Sequence, residues 1–248
     1  MINIKSKEEI EIMRHGGHIL AAVLKEARDY TKPGITTGDI DRLVGRLCLK
    51  YGIKPAFRGY QDFPANICIS LNDEIVHGLP SDKRIIHEGD LASLDFGVLY
   101  KGFNTDAAIT FGVGKINTTQ AKLIEVAKKS FFTGMKKVRA GTHLGDVSEA
   151  IQKYIEKEGF AVIRNLAGHG IGREIHESPV IPNFGRKGTG EILKEGMVLA
   201  IEPMITEKGF ELRLNSDGWT YTTADGGLSA HFEHTITVTK RGYDILTQ

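Results

Sequence analysis

The sequence predicts a mixed α/β fold of the α+β kind: two pseudo-symmetric halves packing helices on one side of a shared, curved, largely antiparallel sheet. Three observations carry this. Residues 32–53, KPGITTGDIDRLVGRLCLKYGI, align without a gap with 139–160, RAGTHLGDVSEAIQKYIEKEGF, at an offset of 107. A longer stretch of helical period precedes each copy, and apolar strands interrupted by single carboxylates follow each.

The elements can be justified in chain order. From Ser6 to Asp29, residues Ile10, Met13, Ile19, Leu20, Val23 and Leu24 recur near helical period, with Ser6 and Glu9 spaced as a capping box. A turn at Gly34 then leads to an N-cap near Thr37 and an amphipathic helix ended by Gly52. The segment RIIHEGDLASLDF (84–96) is a charged turn followed by an apolar strand that carries Asp95. A hairpin turn at Lys101-Gly102 returns the chain through NTDAAITFGV, which carries Asp106. If the turn centres between Tyr100 and Lys101, the two aspartates face each other; one residue later, they are diagonal neighbours on one face.

The second half repeats the plan. Leu123, Ile124, Ala127, Phe131 and Met135 predict a helix over 118–138, and a second helix starts near Leu144–Gly145 and stops at Gly159. EILKEGMVLAIEP (191–203) lies over 84–96 and places Glu202 over Asp95. EHTIT (233–237) lies over DAAIT (106–110) and places Glu233 over Asp106, now at an offset of 127. The change of offset marks an insertion of about twenty residues between these strands. The whole is read as one catalytic domain, 1–248, with halves of approximately 5–115 and 116–248.

Composition narrows the function classes. A formal net charge of +1 gives no bulk preference for nucleic acid or an anionic membrane. No apolar run reaches the ~18 residues of a membrane span, and the N-terminus MINIKSKEEIEIMRHGG lacks a signal-peptide core. The two cysteines, Cys48 and Cys68, have no CxxC spacing, so neither a disulfide scaffold nor a zinc ribbon is expected. A reducing cytoplasm is the expected location.

The duplication brings four carboxylates to one centre. Asp95, Asp106, Glu202 and Glu233 cannot all stay ionised and buried without a counterion, whereas two divalent cations make such a cluster tolerable. A single carboxylate in an apolar strand would say little; four in repeat register say much more. His169, between glycines in GHGIG, is the expected fifth ligand. His176 is expected as a substrate or supporting group, and His77, at a strand end before Gly-Leu-Pro, is a third candidate. His15, His18, His87 and His143 have no such setting. Strand alternation is expected to turn both His231 and His234 away from the metals unless the strand bulges.

GHGIGREIHESPVIPNFG, VLAIEPMI, SAHFEHTITV, the DFGVLYKGFNTDAAITF hairpin and NICISLNDEIVHGLP together resemble type I methionine aminopeptidases of the short bacterial form, from about residue 5 onward. The resemblance implies the "pita-bread" fold and removal of the initiator methionine from nascent polypeptides when the second residue is small. It implies metal ligands at Asp95, Asp106, His169, Glu202 and Glu233. In that set Asp106 and Glu233 bridge, Asp95 completes one ion, and His169 with Glu202 completes the other. It places substrate-facing histidines at His77 and His176 and a methionine pocket at Phe57, Tyr60, Phe63, Cys68, Ile175 and Trp219. Soft apolar residues of this kind suit a thioether. Two departures stand out: Phe-Asn-Thr-Asp where many relatives have His-Gly-Asp, and His231 where relatives often have glutamine.

The expected reaction is metal-assisted peptide hydrolysis, with Glu202 as general base and His77 and His176 donating hydrogen bonds to the scissile amide and the oxyanion. The donor set favours Mn, Fe, Co or Zn. Expected partners are nascent polypeptide N-termini, with ribosome association, no specific nucleic acid, no membrane and a monomeric state. A proline-specific peptidase and a non-catalytic binding module are the rivals. The first is expected to need a further N-terminal domain; the second should show substituted ligands.

Overall fold

A computed structural model describes residues 2–248. Helix α1 (Lys7–Tyr30) begins at the anticipated capping box, with Glu9 N donating to Ser6 Oγ and Ser6 N to the Glu9 carboxylate. It buries Met13, Leu20, Val23 and Leu24. Helix α2 (Thr37–Tyr51) is capped by Thr36, one residue before the expected position, because Asp39 at the third helical position bonds back to it; Gly52 ends it at φ 65°. Strands β1 (Lys54–Pro55), β2 (Cys68–Leu71), β3 (Glu74–Val76), β4 (Leu91–Tyr100) and β5 (Phe103–Gly112) complete the first half.

Helix α3 (Thr118–Met135) stops three residues short of the expected end, and α4 (Leu144–Lys157) follows His143 at its cap. The remaining strands are β6 (Ala161–Val162), β7 (Ala167–Gly170), β8 (Glu177–Pro182), β9 (Val198–Ile201), β10 (Met204–Thr206), β11 (Leu212–Leu214), β12 (Tyr221–Thr223), β13 (Ser229–His231), β14 (His234–Val238) and β15 (Tyr243–Ile245).

The sequence repeat is visible as repeated geometry. Isolated bridges Thr36–Ile85 and His143–Ile192 lie at the same offset of 107 as the aligned segments. Gly34 and Gly141 adopt φ of 91° and 90°, a conformation costly for any residue with a Cβ. Each then donates its N–H to an equivalent carbonyl, Ile86 and Leu193, at 2.8 and 2.9 Å. One apolar core lies under α1 and α2, with Leu20, Val44, Ile69, Leu94 and Phe96 at its centre. A second lies under α3 and α4, with Leu123, Phe131, Ile151, Ile205 and Ile236.

The strands take the expected largely antiparallel arrangement, divided into several hydrogen-bonded sets. Every pairing among the described residues is antiparallel, but they fall into four sheets: β1–β4–β2 with β5 on β4, β13–β10–β6, β11–β12–β3, and β15–β14–β9–β7–β8. The breaks have local causes. Pro203 separates β9 from β10 and cannot donate to a ladder. Phe232 and Glu233 leave ladder geometry between β13 and β14, and a bulge interrupts β7 at His169/Gly170. The two largest sheets still meet edge to edge, where Glu233 N donates to Ala108 O at 2.9 Å and Ala108 N to Glu233 O at 3.3 Å. The inserted residues form the β11–β12 hairpin, which adds to β3.

Candidate metal centre and substrate cavity

The β4–β5 hairpin sets the first two carboxylates. Lys101 and Gly102 have φ of 46° and 82°, both positive, as a two-residue primed turn requires, and Tyr100 pairs with Phe103. The register is therefore the later of the two alternatives: Asp95 opposes Ala108 and Gly97 opposes Asp106, leaving the aspartates diagonal on one face. Strand β2 lays Cys68 beside Asp95. From the other half, Glu202 follows β9 and Glu233 precedes β14, with Thr235 Oγ1 accepting from Asp106 N at 2.8 Å across the junction. The duplicated strands thus converge back to back.

His169 enters from β7, where close packing of small residues is required: a Cβ on Gly168 would lie 2.4 Å from Ala200 O. His169 Nδ1 is 2.9 Å from Gly170 O, so the proton sits on Nδ1 and the Nε2 lone pair faces Glu202 Oε1 at 3.6 Å. Burial, with His176 adding to it, holds His169 neutral by pushing its pKa down to about 3.

Burial raises all four carboxylates, and their mutual repulsion raises Asp95, Glu202 and Glu233 further. Asp106 rises to about 7. Asp95 Oδ1, Asp106 Oδ1 and Glu233 Oε1 are buried without a hydrogen-bond partner, and among the described residues no lysine or arginine lines the cavity they face. A buried carboxylate cluster with orphaned oxygens and no cationic side chain is what divalent ions relieve. Two donor groups fit: Asp106, His169 and Glu233, and Asp95, His231 and Glu233, each with ligand atoms within 4.8 Å of one another.

The cluster closes one end of a cavity of about 190 Å³, far more than the ~10–15 Å³ that one water needs. Phe57, Tyr60, Phe63, Cys68 and Trp219 line it, along with His77 and His176. Phe63 and Trp219 meet edge to face at 5.2 Å. Ile175 does not line it. That residue is buried in the cluster of Met13, Phe103 and Leu246 that packs behind Phe57 and Tyr60, so it supports the wall from outside. His77 has φ 58°, an unusual conformation for a residue with a Cβ, and burial pushes its pKa down to about 4. His176 stands exposed at the mouth, its ring 4.3 Å from that of His169 and its Nδ1 2.9 Å from Tyr60 Oη.

The expectation for His231 needs correction. His231 does not turn away: it lies two residues before Glu233, and in extended chain that spacing keeps both on one face. Its Nε2 is 3.7 Å from Glu233 Oε2 and 3.8 Å from Glu202 Oε2. Only His234, one residue on, points off, bonding Thr247 Oγ1 at 2.9 Å among Phe131 and Phe232. Gln61, Val76, Leu166, Ala167 and Met204 also line the cavity without having been anticipated; Val76 and Ala167 could have been found as near neighbours of His77 and His169.

The match to known proteins follows this geometry. Residues 11–240 match the model of metallopeptidase family M24. A methionine aminopeptidase of Clostridium acetobutylicum is 47% identical over 247 residues, covering 100% of this chain and 99% of the relative. The chain belongs to family M24, among the methionine aminopeptidases. The crystal structure of a methionine aminopeptidase from Thermotoga maritima superposes with a TM-score of 0.98 at 45% identity, covering 100% of both chains. A prolidase from Pyrococcus horikoshii shares the fold at a TM-score of 0.80 and 27% identity; the match covers 99% of this chain but 63% of that one. The methionine aminopeptidase resemblance therefore extends over the full length, and so does the fold expected from it. As a metallopeptidase of this family the chain is a metal-dependent hydrolase. No helix among the described residues is long and apolar enough to cross a membrane.

One departure from the family pattern has a visible role. Asn104 Nδ2 donates to Gly172 O at 3.1 Å and Arg173 O at 3.0 Å, and Asn104 N to Gly172 O at 2.7 Å. These bonds tie the aspartate hairpin to the loop that presents His176.

Proposed function

We propose that this chain, acting as one catalytic domain with carboxylates from both halves, hydrolyses the first peptide bond of polypeptides that begin with methionine and have a small second residue. The observation that carries the reading is the unpartnered carboxylate cluster lining a largely apolar, sulfur-compatible cavity, in a member of a metallopeptidase family. Asp95, Asp106, His169, Glu202 and Glu233 would hold two divalent ions, of a kind (Mn, Fe, Co or Zn) that accepts carboxylate and imidazole donors. When bound, the ions lower the pKa of water to supply a nucleophile near neutral pH and polarise the scissile carbonyl.

The chain's own groups do the rest. Glu202, its proton affinity raised by burial, accepts the proton of the attacking water and returns it to the leaving amine. Tyr60 Oη donates to His176 Nδ1, which leaves the His176 Nε2–H to donate to the developing oxyanion. His77, held neutral by burial, donates to the scissile amide. Phe57, Phe63, Cys68 and Trp219 enclose the methionine side chain. Nascent N-termini in the cytoplasm are the substrates, met near the ribosome by a monomeric enzyme.

Metal analysis combined with turnover of Met-Ala-Ser tests this in the wild type, His169→Ala and Glu233→Ala. Loss of bound metal and of turnover in both variants is expected, and retained activity in both would sink the site. Release of proline dipeptides in preference to Met-Ala would favour the prolidase chemistry of the same fold.

A further inference from the structure

His231 is a buried imidazole for which the five-ligand reading has no task. The residue is 1% exposed, and neither ring nitrogen has a hydrogen-bond partner. Its distances to the Glu202 and Glu233 carboxylates, 3.8 and 3.7 Å, are too long for hydrogen bonds. They do fit donors that share an ion: ligands at ~2.0–2.2 Å from one metal lie up to about 4.4 Å apart. The two donor groups have Glu233 in common, and each adds one aspartate and one imidazole, Asp106 with His169 and Asp95 with His231.

We propose that His231 Nε2 is a sixth protein ligand in this chain, completing the ion held by Asp95. The inference rests on the two-ion reading above and adds to it a nitrogen donor on the side otherwise served by carboxylates alone. Ligation satisfies Nε2 and fixes the ring proton on Nδ1, which still finds no acceptor, so only one of the two orphaned nitrogens is relieved. The second donor group thereby comes to match the first in ligand type, one imidazole per ion. An added imidazole also shifts that position toward zinc, cobalt and iron relative to an all-oxygen site.

The test is NMR of the full chain labelled with 15N-histidine, titrated with Zn²⁺, with resonances assigned by His169→Gln and His231→Gln. Zinc-shifted Nε2 resonances are expected from both His169 and His231. A shift from His169 alone overturns the inference and leaves the metal-site reading standing. No shift from either overturns both. A calorimetric Zn²⁺ titration of His231→Gln, with folding checked by circular dichroism, gives an independent reading. One binding step should weaken at least roughly 10-fold while the other changes little, and an unchanged pair of steps overturns the inference.

Discussion

At the residue scale, the centre is a set of groups whose environments oppose their own charge. Glu233 is the carboxylate common to both donor groups, so Glu233→Ala should lower bound metal below that of any variant confined to one ion, as metal analysis after dialysis would show. His176→Ala should leave metal content unchanged and lower kcat by about 10²–10³, the usual loss for one oxyanion donor; a larger effect on KM than on kcat would point to binding instead. The pH dependence follows from the shifts. The buried histidines have lowered pKa values, His169 and His231 about 3, so they stabilise the fold as pH rises toward 6.5. The carboxylates have raised values, Asp106 about 7 and the others shifted upward, so above 6.5 the metal-free folded state holds protons that the unfolded state has released. Chelated protein should therefore lose thermal stability between pH 6.5 and 8, and metal-loaded protein should not, as melts across that range would reveal. Asp95, Asp106, Glu202, Glu233 and His169 were legible as a cluster because the repeat carries the acids in register. His231 was not, because it lies outside the aligned repeat and reaches the face of Glu233 only through a two-residue spacing in extended chain.

At the element scale, the hairpin and its neighbours decide the shape of the pocket. Gly97 lies opposite Asp106 on β4, and a Cβ there would come within 2.8 Å of Phe57 Cε1 and 3.0 Å of Ala56 Cβ. Gly97→Ala should push Phe57 into the cavity, at an overpacking cost of about 1–3 kcal/mol. Kinetics with Met-Ala-Ser should show KM rising more than kcat falls; unchanged KM would mean that the wall yields elsewhere. The four helices were readable from period and caps, to within a few residues, since Ser6–Glu9 and the repeated glycines are local signals. The division into four sheets was not. It depends on where Pro203, Phe232 and the His169 bulge interrupt pairing between distant strands, and apolar runs do not encode partners. The turn centre at Lys101-Gly102 was similarly open until positive φ at both residues fixed it.

At the scale of the whole molecule, each half has its own core, and the acids sit where the halves meet. Ions bound there act on the global unfolding equilibrium. At free metal 100 times Kd, the gain is about 2.7 kcal/mol for one site, or roughly 5–10 °C in thermal midpoint for a chain of this size. A Zn²⁺ or Co²⁺ titration followed by thermal melting measures this, and Glu233→Ala should abolish most of the gain. Architecture was legible at this scale through the offset of 107 alone, while the edge-to-edge junction of β5 with β14 was not, because nothing local announces it. That junction has a temporal corollary for biosynthesis. The first half emerges from translation with two aspartates and no complement, and Glu233 is supplied only by the approach to the penultimate strand. The acidic cluster therefore cannot assemble before β14 has been made.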